Sequence, residues 1–411
     1  MVHAAARHGH AGASVSRVVE LAGASRATFY EHFANREACF LAAQRAAAER
    51  ALGFIGAEAR SNVRLAVALE EILVRAVENP AAAKLLLIES LGASRAARHE
   101  HERFLAAIEG TIVASLPSEC APQLTDAALL DGVAGVIAMR LLRGEAANLP
   151  SLAEGLLAWA RSYRLAPGDR RLTQRDWAEL GRPIAPAEPA PSNDVALLPR
   201  GRSAPSLAET AASRRDRIVD ATARIVAQKG FAALTVADVV AAARVPRSAF
   251  YAQFEGKQSA FLATQERILR DAMGAAAAEF VLGQSWPERV WKGLRGLLYY
   301  IAERPDQARV SVVEAHAAGE EAVLRFQSSC IAFTLFLEEG YRQKPAASSL
   351  PSVCSEAIAF AIQGMMRRAL MHGSADRLPG LLPQCAHIAL APFIGPQRSL
   401  DFVSVKAREV D

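Results

Sequence analysis

An all-α protein built from two copies of one fold is what this sequence predicts, and three observations predict it. The stretch from Gly9 to Ala42 (GHAGASVSRVVELAGASRATFYEHFANREACFLA) lies on Gly230 to Ala263 (GFAALTVADVVAAARVPRSAFYAQFEGKQSAFLA) without a gap, at an offset of 221. Self-similarity at about half the chain length is the mark of duplication. Apolar residues recur at three and four positions almost everywhere, with Ala, Leu, Arg and Glu dominant and no alternating runs, which is the helical period. Prolines 183, 186, 189, 191, 199 and 205 crowd a single central segment, where they fix φ and remove backbone donors, so the copies are joined by an extended linker.

The opening helix differs between copies. Ile218 to Lys229 reads as an amphipathic helix, whereas Met1 to His8 offers only the last two turns of its equivalent, as a clipped helix or a start that lies upstream. Next, Ser14 caps a helix whose Val15, Val18, Val19 and Ala22 share one buried face. Gly23 then supplies a turn residue tolerant of positive φ. Ser25 caps a second short helix in which Phe29 and Phe33, four apart, turn inward while Ala27 and Glu31 point away. Helix, tight turn and helix within about twenty residues form a helix-turn-helix outline.

Beyond each head the likeness weakens but persists. Asn79-Pro80 and Arg304-Pro305 fall at comparable places, each followed by a helical run with a glutamate, Glu89 or Glu314. Arg143-Gly144 and Leu149-Pro150 likewise match His372-Gly373 and Leu378-Pro379, and Ala166-Pro167 matches Ala391-Pro392. The expected division is a first head at 1–46, a first core at 47–166, a Pro-rich linker at 167–212 with a short helix around Thr173 to Leu180, a second head at 213–267, a second core at 268–396 and a tail at 397–411. Small residues, Gly132, Ala134, Gly135 and Ala138 on one late helix and Ala357, Ala361 and Gly364 on its counterpart, suit a close helix interface, between halves or within one.

Composition narrows the function classes. Five cysteines, Cys39, Cys120, Cys330, Cys354 and Cys385, are widely spaced with no Cys-x-x-Cys pair, which fits free thiols in a cytoplasmic protein. No run approaches the length of a membrane span, and the first residues hold no apolar stretch of signal-peptide length. A net charge of +4 permits nucleic-acid binding without demonstrating it. No nucleophile-base pattern, carboxylate pair or metal-ligand spacing stands out, so neither an enzyme nor a cofactor or metal site is expected.

In a helix-turn-helix the N-terminal residues of the second helix enter the major groove, where a guanidinium pairs with a guanine edge. Arg26 and Ala27 are therefore the base-reading candidates; Thr28, Tyr30 and His32 can donate to phosphates, and Arg36 opens the next helix where an anion is favoured. The segment ASRATFYEHFANREACFL resembles the DNA-binding signature of TetR/AcrR transcriptional regulators, with Thr28, Tyr30, His32, Phe33, Arg36 and Glu37 at matching positions. The resemblance implies three N-terminal helices that bind DNA, a ligand-responsive helical core, and a four-helix dimer interface from the last two core helices. It implies backbone contact for Tyr30, His32 and Arg36 and a share in base contact for Arg26 and Ala27.

The second copy departs from this pattern. Arg244 replaces the turn glycine, Pro246 replaces Ser25, Ala249 replaces Thr28 and Gln253 replaces His32, while Arg247 and Lys257 keep the places of Arg26 and Arg36. The DNA-contact set is thus Ser14, Ser16, Arg26, Ala27, Thr28, Tyr30, His32 and Arg36 in the first head. In the second it is Thr235, Arg247, Ser248, Tyr251, Gln253 and Lys257, with different or weaker binding. Arg200, Arg202, Arg214, Arg215 and Arg217 form either a basic approach to the second head or a solvated linker face. Aromatic residues concentrate in the second core, so Trp291, Tyr299, His316, Phe326, Phe333 and Met365 are candidates for an apolar effector pocket there, although core packing accounts for them equally well.

The sequence thus points to a regulator, a ligand-responsive repressor, whose partners are double-stranded DNA and a small apolar effector. It is an intramolecular pseudo-dimer or a homodimer of tandem chains, with two unequal heads reading an imperfect palindrome. The alternative is a ligand-binding or protein-interaction module of the same fold that has lost operator binding.

Overall fold

The computed structural model describes residues 1–59, 65–115, 126–166, 169, 172–182, 184, 207–343, 345–372 and 375–409. Cys120, Pro167, Arg200, Arg202, Gly373 and the prolines at 183, 186, 189, 191, 199 and 205 lie outside the described residues. The described residues are helical, with turns and no strand.

Each half opens with a three-helix head. In the first, α1 (Val2–Gly12) is interrupted at Gly9, whose φ is 70°, and leads to α2 (Val15–Ala22) and α3 (Arg26–His32). Ser14 accepts from the Arg17 N–H at 3.4 Å and Ser25 from the Thr28 N–H at 3.0 Å, each satisfying a donor left open at a helix start. Gly23 ends α2 at φ 62°. Phe29 is buried and stacks on half-buried Phe33 at 5.5 Å. Val18 is the buried centre of its face, with Val15 and Val19 partly covered; Ala22, last before the chain turns at Gly23, is exposed, contrary to the predicted face.

After α4 (Arg36–Ala59), which runs from head into core, come α5 (Leu65–Glu78), α6 (Pro80–Lys84), a π-helical turn (Leu85–Glu89), α7 (Ser90–Ala93), α8 (Arg95–Ser115), α9 (Asp126–Leu142) and α10 (Ala153–Arg161). The segment expected to be an extended linker contains α11 (Gln174–Gly181), begun by a capping box between Thr173 and Asp176. It is docked on the second half: Trp177 is buried with its ring 5.4 Å from that of His387, and Gly181 lies where any side chain would strike the Gly380 carbonyl.

The second head comprises α12 (Leu207–Lys229), α13 (Val236–Ala243) and α14 (Arg247–Tyr251). Its opening helix starts before the predicted Ile218 and has 23 residues. Arg244 takes the place of Gly23 at φ 52°, the one positive-φ residue among those described that is not glycine. Pro246 caps α14 by conformation alone, and the helix is five residues long against seven in α3. Arg215 lies over the Phe254 ring at 4.7 Å and Arg217 reaches the Ala243 and Arg244 carbonyls, so these two pack on the head, while Arg214 is exposed.

The second core follows: α15 (Lys257–Phe280), α16 (Trp286–Ala302), α17 (Pro305–Ala308), a π-helical turn (Arg309–Val313), α18 (Ala315–Ala318), α19 (Glu320–Ala332), a 3-10 stretch (Phe333–Arg342), α20 (Pro345–Ser348), α21 (Val353–His372), α22 (Leu382–Ile394) and α23 (Pro396–Arg408). The expected tail is therefore mostly helix. Leu400 and Val403 are buried, and Phe402 meets Trp291 at 6.3 Å, so apolar contact holds α23 on the core.

The halves meet through α9 and α21. A Cβ on Gly135 would collide with the Phe360 side chain, and one on Gly364 with Asp131. Tyr163 donates to the Ile388 carbonyl at 2.8 Å while accepting from the Trp159 indole N–H at 2.9 Å. One hydrophobic core runs through both halves, from Leu73 and Met139 to Phe360 and Phe393, and the second head has a separate cluster around Phe250 and Phe261.

Two predictions follow from this packing. Left-handed φ strains a side-chain-bearing residue by about 1–2 kcal/mol, so Arg244→Gly should stabilise the second head by ~1 kcal/mol, read as a raised urea midpoint. Burial depresses His101, His316 and His387 to about 3, against 6.5 for a free imidazole. Since the unfolded chain then binds more protons below pH 6.5, stability should fall as pH drops from 6.5 toward 3, and the urea midpoint at pH 5 should lie below that at pH 7.

Candidate nucleic-acid interface

The two second helices of the heads present the same register to solvent. Arg26, Ala27, Thr28, Tyr30 and His32 are all exposed on α3, Tyr30 at 57%. Arg247, Ser248 and Tyr251 are exposed on α14, Tyr251 at 48%, and Gln253 is half-buried just beyond its end. An exposed tyrosine one turn beyond an exposed arginine is thus common to both helices.

Local bonds orient the arginines differently. Arg26 donates to the Ser16 hydroxyl at 2.6 Å, which ties α3 to α2 and holds the guanidinium across the groove between them. Arg247 instead folds back on its own helix, with its guanidinium 5.6 Å from the Tyr251 ring centre and 3.4 Å from the Tyr251 hydroxyl. The Thr28 hydroxyl shares a hydrogen bond with Ser25 at 3.0 Å, and Ala249 and Pro246 remove both groups from the second head. Ser14 and Thr235 are exposed caps at matching helix starts, the latter bonded to Asp238.

Arg36 and Lys257 stand at equivalent positions with equivalent partners. Arg36 donates to the carbonyls of His10 and Ala11 at 2.7 and 3.2 Å; Lys257 reaches those of Phe231, Ala232 and Leu234 at 3.1 to 3.3 Å. Both cations therefore hold the backbone that follows the positive-φ glycine, Gly9 in the first head and Gly230 in the second.

A second clasp holds the same loop to the core. Glu89 accepts from the His10 N–H at 2.5 Å, and Glu314 accepts from the Phe231 N–H at 2.9 Å. Gly9 at φ 70° and Gly230 at φ 79° turn the backbone so that these N–H groups face the carboxylates. Each glutamate sits at the end of its π-helical turn, and both are buried. The two glutamates were visible in the sequence only as acidic residues at comparable places. Their matching Gly-x pairs, Gly9-His10 and Gly230-Phe231, were the signal that joins them to the heads.

The core cavities are distributed otherwise than the aromatic residues suggest. A cavity of about 600 Å³ lies in the first half between α4, α5, α8 and α9, walled by Ala51, Ile72, Leu86, Phe104 and Ile137 with Arg75 and Asn79 at its polar side. The second half has a cavity of about 100 Å³ that includes Phe326, Phe333, Tyr300 and Met366. Of the residues proposed for a pocket there, Phe326 and Phe333 line this space, and His316 borders a smaller one of about 40 Å³ with Asp131 and Arg367. Trp291 packs on Phe402, Met365 is buried, and Tyr299 is half-buried; none of the three lines these cavities. Rings such as Tyr300, Phe326 and Phe333 border the smaller second-half cavity, while alanines such as Ala47, Ala51 and Ala83 border the larger one in the first.

Among the described residues no group of three or more His, Cys, Asp or Glu is placed to hold a metal ion, and no helix is long and apolar enough to cross a membrane.

Comparison with known proteins places these heads. The family described as bacterial regulatory proteins, tetR family, matches residues 2–43 and again 218–264. A crystal structure of a TetR family transcription regulator from Marinobacter aquaeolei VT8 is similar at 22% identity over 45% of this chain and 98% of that one, with a TM-score of 0.36. The fatty acid degradation regulator FadR from Bacillus halodurans is similar at 15% identity over 43% of this chain and 94% of that one, with a TM-score of 0.39. No curated protein matches.

A charge-assisted hydrogen bond contributes roughly 1.5–3 kcal/mol. Glu89→Ala should therefore loosen the first head alone, read as faster amide exchange at His10 and Ala11 with little change at Phe231, and Glu314→Ala should give the mirror result.

Proposed function

Taking the chain as a TetR-family protein with two TetR-like units, we propose that it is a cytoplasmic, sequence-specific DNA-binding transcriptional regulator that works as an intramolecular pseudo-dimer. The observation that carries this reading is the pair of exposed second helices, each with an arginine in its first turn and a solvent-facing tyrosine four residues on, Arg26 with Tyr30 and Arg247 with Tyr251. Arg26 and Ala27 read base edges in the first half-site, with Ser14, Ser16, Thr28, Tyr30, His32 and Arg36 on the backbone. Arg247 and Ser248 take the reading role in the second, with Thr235, Tyr251, Gln253 and Lys257 on the backbone. Since α14 is shorter, lacks a side-chain cap and keeps Arg247 against Tyr251, the second head binds more weakly and the operator is an imperfect palindrome.

The packing of α9 on α21 supports the pairing of the halves within one chain. The role we assign is that of a ligand-responsive repressor. Its effector is an apolar small molecule held in the first-half cavity, whose volume lies within the usual range for ligand sites. A ligand that binds better to the conformation not engaged with DNA releases the operator by shifting populations.

Selection of bound sequences from random duplexes tests the reading. Two half-sites of unequal information content should emerge, with affinity that falls steeply with salt. Arg26→Ala should then weaken binding by about 1–3 kcal/mol and relax one position of the stronger half-site, while Arg247→Ala acts on the other half-site by less. Absence of sequence-selective binding, with effector or partner binding retained, would favour the module that has lost operator contact.

A further inference from the structure

The late helices of the two halves are equivalent at an offset of 229, which aligns Arg143-Gly144 with His372-Gly373 and Leu149-Pro150 with Leu378-Pro379. Under that alignment Asp131 corresponds to Phe360 and Gly135 to Gly364. The structure obeys it: the residue four before the glycine on each helix fills the glycine notch of the other, Phe360 over Gly135 and Asp131 over Gly364. The frame is therefore two-fold, and the side chains set in it are not.

Among the described residues, the ion pairs made across this frame by Asp131 and by Arg140 lack a symmetric copy. Asp131 pairs with Arg367 at 3.4 Å and with Arg368, whose counterparts in the first half are Ala138 and Met139. Arg140 pairs with Glu356 at 2.8 Å, and their counterparts are Ala369 and Ala127. The side chains of Asp131 and Arg367 are only 4% and 8% exposed. Two copies of α9 packed in this frame would bury Asp131 against Ala138 and Met139 with no cation. Two copies of α21 would bury Arg367 and Arg368 against Phe360 with no anion. A buried charge stripped of its partner is strongly unfavourable.

We infer that this surface is coded for unlike pairing: the first core takes a second core as its partner and rejects another first core. Charge complementarity gives attraction in the one arrangement and desolvated, unpaired charge in the other two, which is how specificity is built against alternatives. The inference rests on the pairing of halves proposed above and adds the rule that selects it.

The test starts from the folded full chain with a protease recognition sequence placed between Pro191 and Arg200. Labelled and unlabelled preparations are cut, mixed in enough urea to scramble the labels, returned to buffer and read by native mass spectrometry. Unlike pairs should dominate, with like pairs at about a tenth or less of the share that random pairing gives. Like pairs at the random share overturn the inference, whereas unpaired halves of both kinds overturn the pseudo-dimer on which it rests. Arg140→Glu faces Glu145 of its own half in every pairing but meets Glu356 only in the unlike pair, so it should raise the like-pair share several-fold. Glu356→Arg added to it should restore the original distribution. An Arg140→Glu distribution identical to that of the unmodified protein would show that these charges do not select the partner.

Discussion

Everything else in this molecule is referred to the close approach of α9 and α21. Glycine at 135 and 364 lets the two helices approach until Phe360 and Asp131 occupy the notches, and any added side chain would push them apart. That contact brings the two cores into one hydrophobic interior. The cores in turn carry the π-helical turns, and the turns carry the carboxylates that hold the heads. A chain of direct contacts therefore runs from the interface to each α1 or α12 loop, through Glu89 on one side and Glu314 on the other. Displacement within either core has a short mechanical route to the head that core supports.

The route is duplicated, but its surroundings are not. The first core encloses a cavity where the second is filled by rings. The first head has a capped α3 and an arginine tied to the neighbouring helix, while the second has a shorter α14, a proline cap and an arginine laid on its own tyrosine. Duplication preserved what folding requires, such as Phe29 and Phe250 or Gly9 and Gly230. At positions where folding is indifferent, the copies were free to specialise. The first half holds both the better-capped recognition helix and the larger cavity.

Much of this was legible in the sequence because short-range rules produce it. Ser25 as a cap, Gly23 as a left-handed turn and the buried Phe29 each follow from a few adjacent residues, and the duplication doubled the signal. What escaped depended on distant partners. Trp177 lies on the short helix expected around Thr173 to Leu180, and what the sequence does not show is its docking, which depends on the surface around His387. The segment after residue 396 looked like a tail because its buried positions, Leu400 and Val403 among them, have meaning only against Trp291 and its neighbours. Cavity size was illegible for a related reason. Aromatic residues advertise themselves, yet a cavity is where side chains are absent, and alanines at 47, 51, 76, 82 and 83 leave no mark that distinguishes an open space from tight packing.

The tether between the halves has a further consequence. A pair of separate subunits is a matter of abundance: at low copy number it comes apart, and each subunit loses the partner that sets its geometry. In the proposed pseudo-dimer the partner is supplied by the same chain, however few molecules the cell contains. A single translated chain is then a complete two-headed unit. On the proposed function, its supply can be held near one molecule per operator without dissociation separating the heads.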